Sequence, residues 1–517
     1  MTSDKAIAQW IIEALQQMGV QSLVFSPGSR NAPLIIAGTA NPDISFHTVL
    51  DERSAAFQAI GEALITQKPV AICCTSGSAV ANYYPGVLEA YYSKIPLFIL
   101  TADRPANRIG KGEGQSCVQR DFFHPHIGAS FELSEASSKS DLLQVMNAAA
   151  KILKEKSEPV HVNVSFEEPL YGQRAMHEPI TVEIPQIKSQ IHLELDFFEP
   201  SMNVAIVCGQ LNPHESEYLK AHKVLHRSKA TWFADPLSGL LGEPNTVHID
   251  RIESYNFDGL ISLGGQWMSK FPKFHVRQLS LKKHLHIDLY QAWNVSDAQE
   301  FKWLKNTIIH SVEALIKINA LKVSSSSPKM DQDLEWSDAL AFKTILSGLE
   351  STCVLHLANS SIPRYLSFFS HKGMVFCNRG ISGIDGSLST AVGAARADSK
   401  RKHVLIIGDQ SALYDSNALK ELAELENLQV FVLNNRSGAI FNWLPGTGQN
   451  SEQAQGVYSN YQEVQIEMLA KAYNCSVAKV QDIEGLQAVE QVHLVEVLTY
   501  DAPNAEQFHK LNNYHVK

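Results

Sequence analysis

Two polar residues, Asp409 and Asn435, follow successive apolar runs of strand length in the C-terminal third of the chain. Asp409 comes after His403–Ile407 and Gly408, which permits a tight turn, and Asn435 comes 26 residues later, after Gln429–Leu433. This spacing is one strand–helix–strand unit, whose right-handed crossover places both carboxyl ends at one sheet edge. A carboxylate and an amide oxygen suit Mg²⁺, which takes its other ligands from water and phosphates. The pair predicts a magnesium site for a phosphate-bearing ligand.

The segment between the two runs supports this interpretation. A leucine repeat predicts a helix over 419–425, and a helix N-terminus can face a phosphate. Taken alone, Asp409 is better explained as an acid that caps a helix, and Asn434-Asn435 as a turn. Together with Gly408, they resemble the GDx…NN motif of thiamine diphosphate enzymes, which usually has Gly where this chain has Gln410. The resemblance implies the backbone carbonyl of Ser437 as a third metal ligand.

The elements that must position these residues alternate between short apolar runs and amphipathic stretches, which is the pattern of α/β layers. The runs are nearly continuous in apolar residues, as expected for parallel strands that are covered on both faces. They fall into three sets: Leu23–Phe25, Phe46–Leu50, Val70–Cys74, Leu97–Leu100 and Val160–Val164; Val204–Cys208, Thr231–Ala234, Leu260–Leu263 and His284–Leu289; Val354–Leu357, Met374–Cys377, His403–Ile407, Val430–Leu433 and Leu494–Leu498.

Three α/β domains, each a doubly wound parallel sheet, follow from these sets, since 517 residues exceed what one core supports. An irregular stretch at Ile180–Pro200 and the polar linker Ser324–Pro328 form the seams. The predicted domains are 1–178, 179–323 and 330–517.

The composition narrows the class of protein. Apolar residues make up 44% of the chain and charged residues 19%, which indicates a globular protein without a membrane span. The net charge of −10 disfavours nucleic acid as a partner. Seven scattered cysteines and the lack of a signal-peptide pattern predict a cytoplasmic protein with reduced thiols.

Four further segments resemble one family, that of 2-succinyl-5-enolpyruvyl-6-hydroxy-3-cyclohexene-1-carboxylate (SEPHCHC) synthase of menaquinone biosynthesis. They are Ser26–Arg30 (SPGSR), Thr101–Pro105 (TADRP), Asn378–Gly386 (NRGISGIDG) and Gly408–Asp415 (GDQSALYD). The resemblance implies pyrimidine-binding, middle and diphosphate-binding domains, in that order. It also implies thiamine diphosphate with Mg²⁺, for which Mn²⁺ substitutes, and a homodimer or dimer of dimers with active sites at the subunit interface.

The same resemblance implies a role for Glu52. Asp51-Glu52-Arg53-Ser54 follows the run Phe46–Leu50 and opens a predicted helix over Ala55–Leu64. A thiamine enzyme needs a carboxylate beside the aminopyrimidine ring, and Glu52 is the candidate. An acid at a helix start that interacts with the helix dipole is the alternative interpretation.

The implied substrates, 2-oxoglutarate and isochorismate, each carry two carboxylates, which arginine binds through paired hydrogen bonds. The cations that match the family motifs are Arg30, Arg104, Lys270, Arg364 and Arg379, and the polar pocket positions are Ser29, Gln115 and Ser360. The implied cofactor contacts are Glu52, Ile384, Gly408, Asp409, Gln410, Ser411, Asn435, Ile440 and Phe441, with Phe441 and Leu444 also beside the substrate.

The resemblance therefore implies an enzyme that decarboxylates 2-oxoglutarate and adds the resulting unit to isochorismate. Two alternatives remain open at this point. A 2-oxo acid decarboxylase or acetolactate-type synthase acts on mono-acids and needs fewer cations. A non-catalytic metabolite-binding protein has the same layered fold but no need for Glu52 together with Asp409 and Asn435.

Overall fold

The computed structural model describes residues 1–175, 178–185, 197–318, 320–323, 334–369, 371–443, 451–499 and 501–516. The chain forms two compact units, each made of three segments. They are Met1–Ile187, Asn378–Lys400 and Tyr414–Asn427 in the first unit, and Lys188–Cys377, Arg401–Leu413 and Leu428–Lys517 in the second.

The first unit contains a six-stranded parallel sheet. The strands of this part of the chain are β1 (Thr2–Ser3), β2 (Ser22–Phe25), β3 (Ser45–Thr48), β4 (Val70–Cys74), β5 (Leu97–Asp103), β6 (Ala129–Ser134), β7 (Val160–Ser165) and β8 (Gln173–Arg174). The helices are α1 (Ala6–Gln17), α2 (Ala32–Thr39), α3 (Glu52–Thr66), α4 (Ser78–Asn82), α5 (Tyr84–Ser93) and α6 (Lys139–Glu155). The sheet order is β3-β2-β4-β5-β7-β6, and β1 pairs separately with β8.

Helix α1 shows how the sequence builds this layer. Ile7, Ile11 and Leu15 recur at four-residue spacing, which places them on one face of the helix. All three are buried with Leu23 of β2 in the core of the sheet. Burial of each such side chain contributes about 1.5–3 kcal/mol. The helix ends before Gly19, whose φ of 81° is easily adopted only by a residue without a side chain.

The second unit contains a middle sheet of six parallel strands. They are β9 (Val204–Cys208), β10 (Trp232–Ala234), β11 (Thr246–His248), β12 (Gly259–Leu263), β13 (Lys283–Asp288) and β14 (Glu300–Lys305). Helices α7 (Pro213–Ala221), α8 (Val224–Arg227), α9 (Phe271–Gln278) and α10 (Ile308–Leu315) connect them. The order is β11-β10-β9-β12-β13-β14.

A third parallel sheet also lies in the second unit. Its strands are β15 (Val354–Leu357), β16 (Val375–Cys377), β17 (His403–Gly408), β18 (Leu428–Asn434), β19 (Val477–Val480) and β20 (Leu494–Leu498), in the order β16-β15-β17-β18-β20-β19. The helices in this part of the chain are α11 (Asp338–Ser347), α12 (Ile362–Tyr365), α13 (Ser387–Ala397), α14 (Asp409–Tyr414), α15 (Leu419–Leu422), α16 (Glu452–Ser459), α17 (Ile466–Ala472), α18 (Ile483–Gln487) and α19 (Asp501–Val516).

Helices α13 and α15 belong to the first unit, where α13 crosses α3 at very short distance. A Cβ atom on Gly61 of α3 would lie 2.0 Å from the carbonyl oxygen of Thr390, and one on Gly393 of α13 would lie 1.9 Å from that of Gln58. The two helix backbones therefore touch, which only glycine permits at these positions.

The predicted fold class, α/β with three doubly wound parallel sheets, is confirmed. The strand predicted at Phe46–Leu50 extends too far toward the C-terminus, because β3 ends at Thr48 and Leu50 is exposed. The helix predicted over 419–425 begins where expected but is shorter: α15 spans Leu419–Leu422, and α14 and a 3₁₀ turn precede it. The domain boundaries stay predictions, and the linker Ser324–Pro328 lies outside the described residues. Every described helix is too short or too polar to cross a membrane.

Candidate active site

Asp409 and Asn435 lie at the same edge of the third sheet. Strands β17 and β18 pair in parallel, with Gly408 opposite Leu433 in the last matched position. Asp409 follows β17 directly, and Asn435 follows β18. The prediction that the two strands are neighbours is therefore confirmed. The reason is the short connection, which returns the chain to the adjacent parallel position.

Asp409 carries a buried carboxyl group at the end of β17. Its side chain is 3% exposed, and no Lys, Arg or His of the described residues lies within ion-pair distance. Burial raises the pKa of Asp409 to about 7, although the backbone N–H of Gln410 partly offsets this by hydrogen bonding. The Gln462 amide is 3.5 Å from Asp409 Oδ2, at the limit of a hydrogen bond. A divalent cation would supply the missing charge, so the carboxyl group fits a metal site.

Asn435 is held in one orientation by Asp338, the first residue of α11. Asn435 Nδ2 donates to Asp338 Oδ2 at 2.8 Å, and Asn435 Oδ1 accepts from the backbone N–H of Ser437 at 3.0 Å. Asp338 is fully buried and also accepts from the hydroxyl of Thr499. With its amide nitrogen engaged, Asn435 keeps a lone pair of Oδ1 for a cation.

Ser437, whose backbone carbonyl is the third predicted metal ligand, follows Asn435 by two residues. It is buried, and its hydroxyl has no hydrogen-bond partner among the described residues. A carboxylate, an amide oxygen and a backbone carbonyl are all hard oxygen donors, which fits Mg²⁺. No cluster of three or more His, Cys, Asp or Glu occurs in the part of the chain that the structure describes, so nothing there resembles a zinc site.

Ser360 and Arg364 follow β15, the strand on the other side of β17. Ser360 has a φ of 74°, and its carbonyl accepts from Arg364 Nη1. The third sheet therefore brings Ser360 to the same edge as Asp409, because both follow parallel neighbouring strands.

Three apolar residues, Ile440, Phe441 and Leu444, are predicted to contact the cofactor or the substrate, and the structure describes the first two. Ile440 belongs to the core of the third sheet, whereas Phe441 is 36% exposed. The Phe441 ring stacks on Tyr458, with centroids 5.6 Å apart and 29° between the planes. Leu444, the third predicted member, lies outside the described residues. Phe441 is thus the better placed of the two described residues to contact a ligand.

In the first unit, Arg30 follows β2 and Arg104 follows β5, at the same sheet edge. Arg30 is buried, donates to the carbonyl of Phe166 and lies 3.2 Å from Glu168 Oε1. Arg104 donates to the carbonyl of Gly114 through Nε and Nη2, at 3.0 and 2.6 Å. Both guanidinium groups are therefore fixed in place by backbone carbonyls.

Ser29 and Gln115 lie close to these arginines in the chain, and both are exposed. Gln115 has a φ of 50°, and its carbonyl accepts from the hydroxyl of Ser76 at 2.8 Å. That bond folds the loop after β5 back over the end of β4. The structure thus places Ser29 and Gln115 around the carboxyl ends of adjacent strands.

Glu52 is the first residue of α3, but the helix is capped by its neighbour. Asp51 Oδ1 accepts from the backbone N–H of Ser54 at 3.0 Å, so Glu52 does not serve as the cap. Burial raises the pKa of the Cys74 thiol and the Tyr83 hydroxyl well above their usual values, and the nearby charge of Glu52 adds to both shifts. Glu52 therefore lies beside an apolar, fully buried region at the end of β4.

The loop that carries Arg379 and Ile384 is attached to α5 by Glu89. Glu89, 2% exposed, accepts from the backbone N–H groups of Gly380 (2.8 Å) and Ile381 (3.1 Å). Ile384 is 38% exposed, which is unusual for a core isoleucine. Sequence reasoning missed Glu89 and Asp338, because both act on residues far away in the chain.

Two family descriptions match this chain. "Thiamine pyrophosphate enzyme, N-terminal TPP binding domain" matches residues 5–125, and "Thiamine pyrophosphate enzyme, C-terminal TPP binding domain" matches residues 359–497. SEPHCHC synthase of Flavobacterium psychrophilum is 36% identical, covering 93% of this chain and 92% of that one. The SEPHCHC synthase of Bacteroides fragilis is 34% identical over 86% of each chain. The chain belongs to the SEPHCHC synthase family. It is therefore a thiamine diphosphate (pyrophosphate) enzyme.

A solved structure supports the fold of this SEPHCHC synthase family member. It is an enzyme from Mycobacterium smegmatis assigned as thiamin diphosphate-dependent, with a TM-score of 0.74 and 16% identity over 96% of this chain and 99% of the other. At that identity the similarity extends to the fold alone.

In this SEPHCHC synthase family member, Lys270 is exposed at the start of α9. The next residue, Phe271, is also exposed, at 54%. The role of Lys270 in substrate binding therefore stays a prediction.

Proposed function

We propose that this chain is a SEPHCHC synthase of menaquinone biosynthesis. It decarboxylates 2-oxoglutarate and transfers the four-carbon unit to isochorismate, with release of CO₂ and 2-succinyl-5-enolpyruvyl-6-hydroxy-3-cyclohexene-1-carboxylate. The observation that carries this proposal is the similarity to relatives named for that product along nearly the whole chain. They are 33% and 36% identical, over 93% of this chain in each case.

Asp409, Asn435 and the carbonyl of Ser437 would hold Mg²⁺, or Mn²⁺ in its place, and through it the cofactor diphosphate. The burial of Asp409, with no basic side chain paired to it among the described residues, supports this assignment. When bound, thiamine diphosphate supplies an electron sink that accepts the pair released in decarboxylation. Ile384 and Phe441, both more exposed than core residues, would cover its rings.

Glu52 would exchange a proton with the aminopyrimidine ring nitrogen of the cofactor. Its place at the start of α3, near the buried end of β4, supports this role. We expect Glu52→Gln to bind cofactor and metal normally but to lose most turnover. Near-normal turnover of this variant would contradict the role of Glu52.

Arg30, Arg104, Arg364 and Arg379, with Lys270, would hold the carboxylates of the two substrates. Backbone carbonyls fix Arg30 and Arg104, which favours a rigid carboxylate site. Such a cluster exceeds what a mono-acid such as pyruvate needs. Steady-state rates with 2-oxoglutarate and with pyruvate test this, and faster turnover of pyruvate would favour the decarboxylase alternative.

We further propose a cytoplasmic homodimer or dimer of dimers whose sites combine both chains. Glu52 and Asp409 belong to different compact units, and all seven cysteines are free. Mixed dimers of Glu52→Gln and Asp409→Asn chains should recover part of the activity that each variant lacks. No recovery, with subunit exchange shown by mass spectrometry, would contradict a site shared between chains.

The decisive experiment supplies the purified protein with thiamine diphosphate, Mg²⁺, 2-oxoglutarate and isochorismate. We expect loss of isochorismate and a product with the mass of the SEPHCHC acid. Decarboxylation without isochorismate loss would overturn the proposed second substrate, and failure to bind the cofactor in calorimetry would overturn the enzymatic role.

A further inference from the structure

Gln410, which replaces the glycine of the general thiamine enzyme motif, makes contacts of its own. Its side-chain Nε2 donates to the backbone carbonyls of Ser459 at 3.0 Å and Asn460 at 3.2 Å. Glycine has no side chain that could make either bond. Both carbonyls belong to the turn that ends α16, 49 and 50 residues further along the chain.

Among the described residues, α16 and the turn after it contribute little to the apolar core. Helix α16 has no buried residue, so the hydrophobic effect does little to hold it. Asn460 ends it in a left-handed conformation with a φ of 42°. Two backbone bonds join the turn to the loop after β18, from Gly438 N–H to the Ser459 carbonyl (2.6 Å) and from Gln462 N–H to the Arg436 carbonyl (3.0 Å).

This turn also contacts two residues of the predicted site. Tyr458, in the last turn of α16, stacks on Phe441, and Gln462 brings its amide to 3.5 Å from the carboxylate of Asp409. A shift of the turn would therefore change both the stacking on Phe441 and the contact of Gln462 with Asp409.

We propose that Gln410 is a positioning residue that clamps the turn Tyr458–Gln462 onto the carboxyl end of β17. The clamp keeps Phe441 stacked and covers the metal-binding edge, so that bound thiamine diphosphate leaves slowly. This inference rests on the proposed cofactor site and assigns the Gln410 side chain to the turn instead of to the cofactor.

The perturbation is Gln410→Met, which keeps the length of the side chain but removes its N–H donors. Two neutral hydrogen bonds are lost, and each such bond changes an equilibrium constant, here that for opening of the turn, about two- to twelve-fold. We expect amide hydrogen exchange in 451–462 of the cofactor-free protein to rise about ten-fold. We also expect cofactor release, followed by tryptophan fluorescence, to accelerate by a similar factor.

Gln487→Met is the matched control, since Gln487 is an exposed glutamine at the end of α18, in a different part of the sequence. It should leave exchange in 451–462 and cofactor release unchanged. Gln410→Lys, whose ammonium group can donate to the same two carbonyls, should restore most of the protection from exchange.

Unchanged exchange in Gln410→Met would overturn the clamp, and so would faster exchange with unchanged cofactor release. The exchange experiment contains no cofactor, so it is independent of the proposed function. Failure of the unaltered protein to bind thiamine diphosphate would instead overturn the proposed function and leave the exchange result standing.

Discussion

Asp338 should control metal affinity although it is not itself a ligand. Its carboxylate accepts a 2.8 Å hydrogen bond from Asn435 Nδ2, and both side chains are buried. A hydrogen bond to a charged group contributes about 1.5–3 kcal/mol. In Asp338→Ala this bond is lost, so the Asn435 amide can turn over and present its NH₂ group to the cation.

Loss of such an orienting partner typically weakens metal binding about 10–100-fold, and we expect that range for Asp338→Ala. Asp338→Asn is the matched control. Its amide oxygen can still accept from Asn435 while its NH₂ group donates to the Thr499 hydroxyl, which accepts equally well. The orientation of Asn435 is then kept, so affinity should fall only a few-fold, by the loss of a nearby negative charge.

The assay is a titration of each purified variant with Mn²⁺ in the presence of thiamine diphosphate, followed by electron paramagnetic resonance of the free ion. Circular dichroism establishes that each variant is folded. A folded Asp338→Ala with unaltered metal affinity would refute the reasoning. Equal losses in the Ala and Asn variants would show that the charge of Asp338 matters and that its orienting hydrogen bond does not.

Two further predictions concern buried acids of the first unit. In Glu89→Gln an NH₂ group faces the N–H of Gly380 or Ile381, so the loop that carries Arg379 should shift. We expect the Michaelis constants of the acid substrates to rise about ten-fold, with kcat nearly unchanged. Steady-state kinetics test this, and a fall in kcat alone would contradict it. Burial raises the pKa of Glu62 from 4.5 to about 7, so its contribution to stability is full below about pH 4.5 and is lost as the pH rises to 7. Relative to Glu62→Gln, the unfolding free energy in urea should fall by about 3 kcal/mol between these limits, and a difference independent of pH would contradict this.

The sequence by itself determined most strands of the fold and the position of Asp409 and Asn435 at one sheet edge. Val70–Cys74, Val204–Cys208 and Val354–Leu357 form strands with the predicted bounds, because a strand buried on both faces must be apolar throughout. The position of Asp409 and Asn435 at one sheet edge was also predictable, since a strand–helix–strand unit brings the ends of its two strands together. The bounds of edge strands do not follow from this pattern: β3 is an edge strand with exposed residues, and its end differs from the predicted one.

Only the tertiary structure decided which residues support that site. Asp338 lies 97 residues before Asn435, Glu89 lies 291 residues before Gly380, and the Gln410 side chain reaches a turn 49 residues later. No sequence periodicity or short spacing indicates these contacts, because each depends on how separate helices and loops pack against one another. Local patterns report the faces of single elements, whereas the partner of a buried polar group is chosen by the packing of the whole unit.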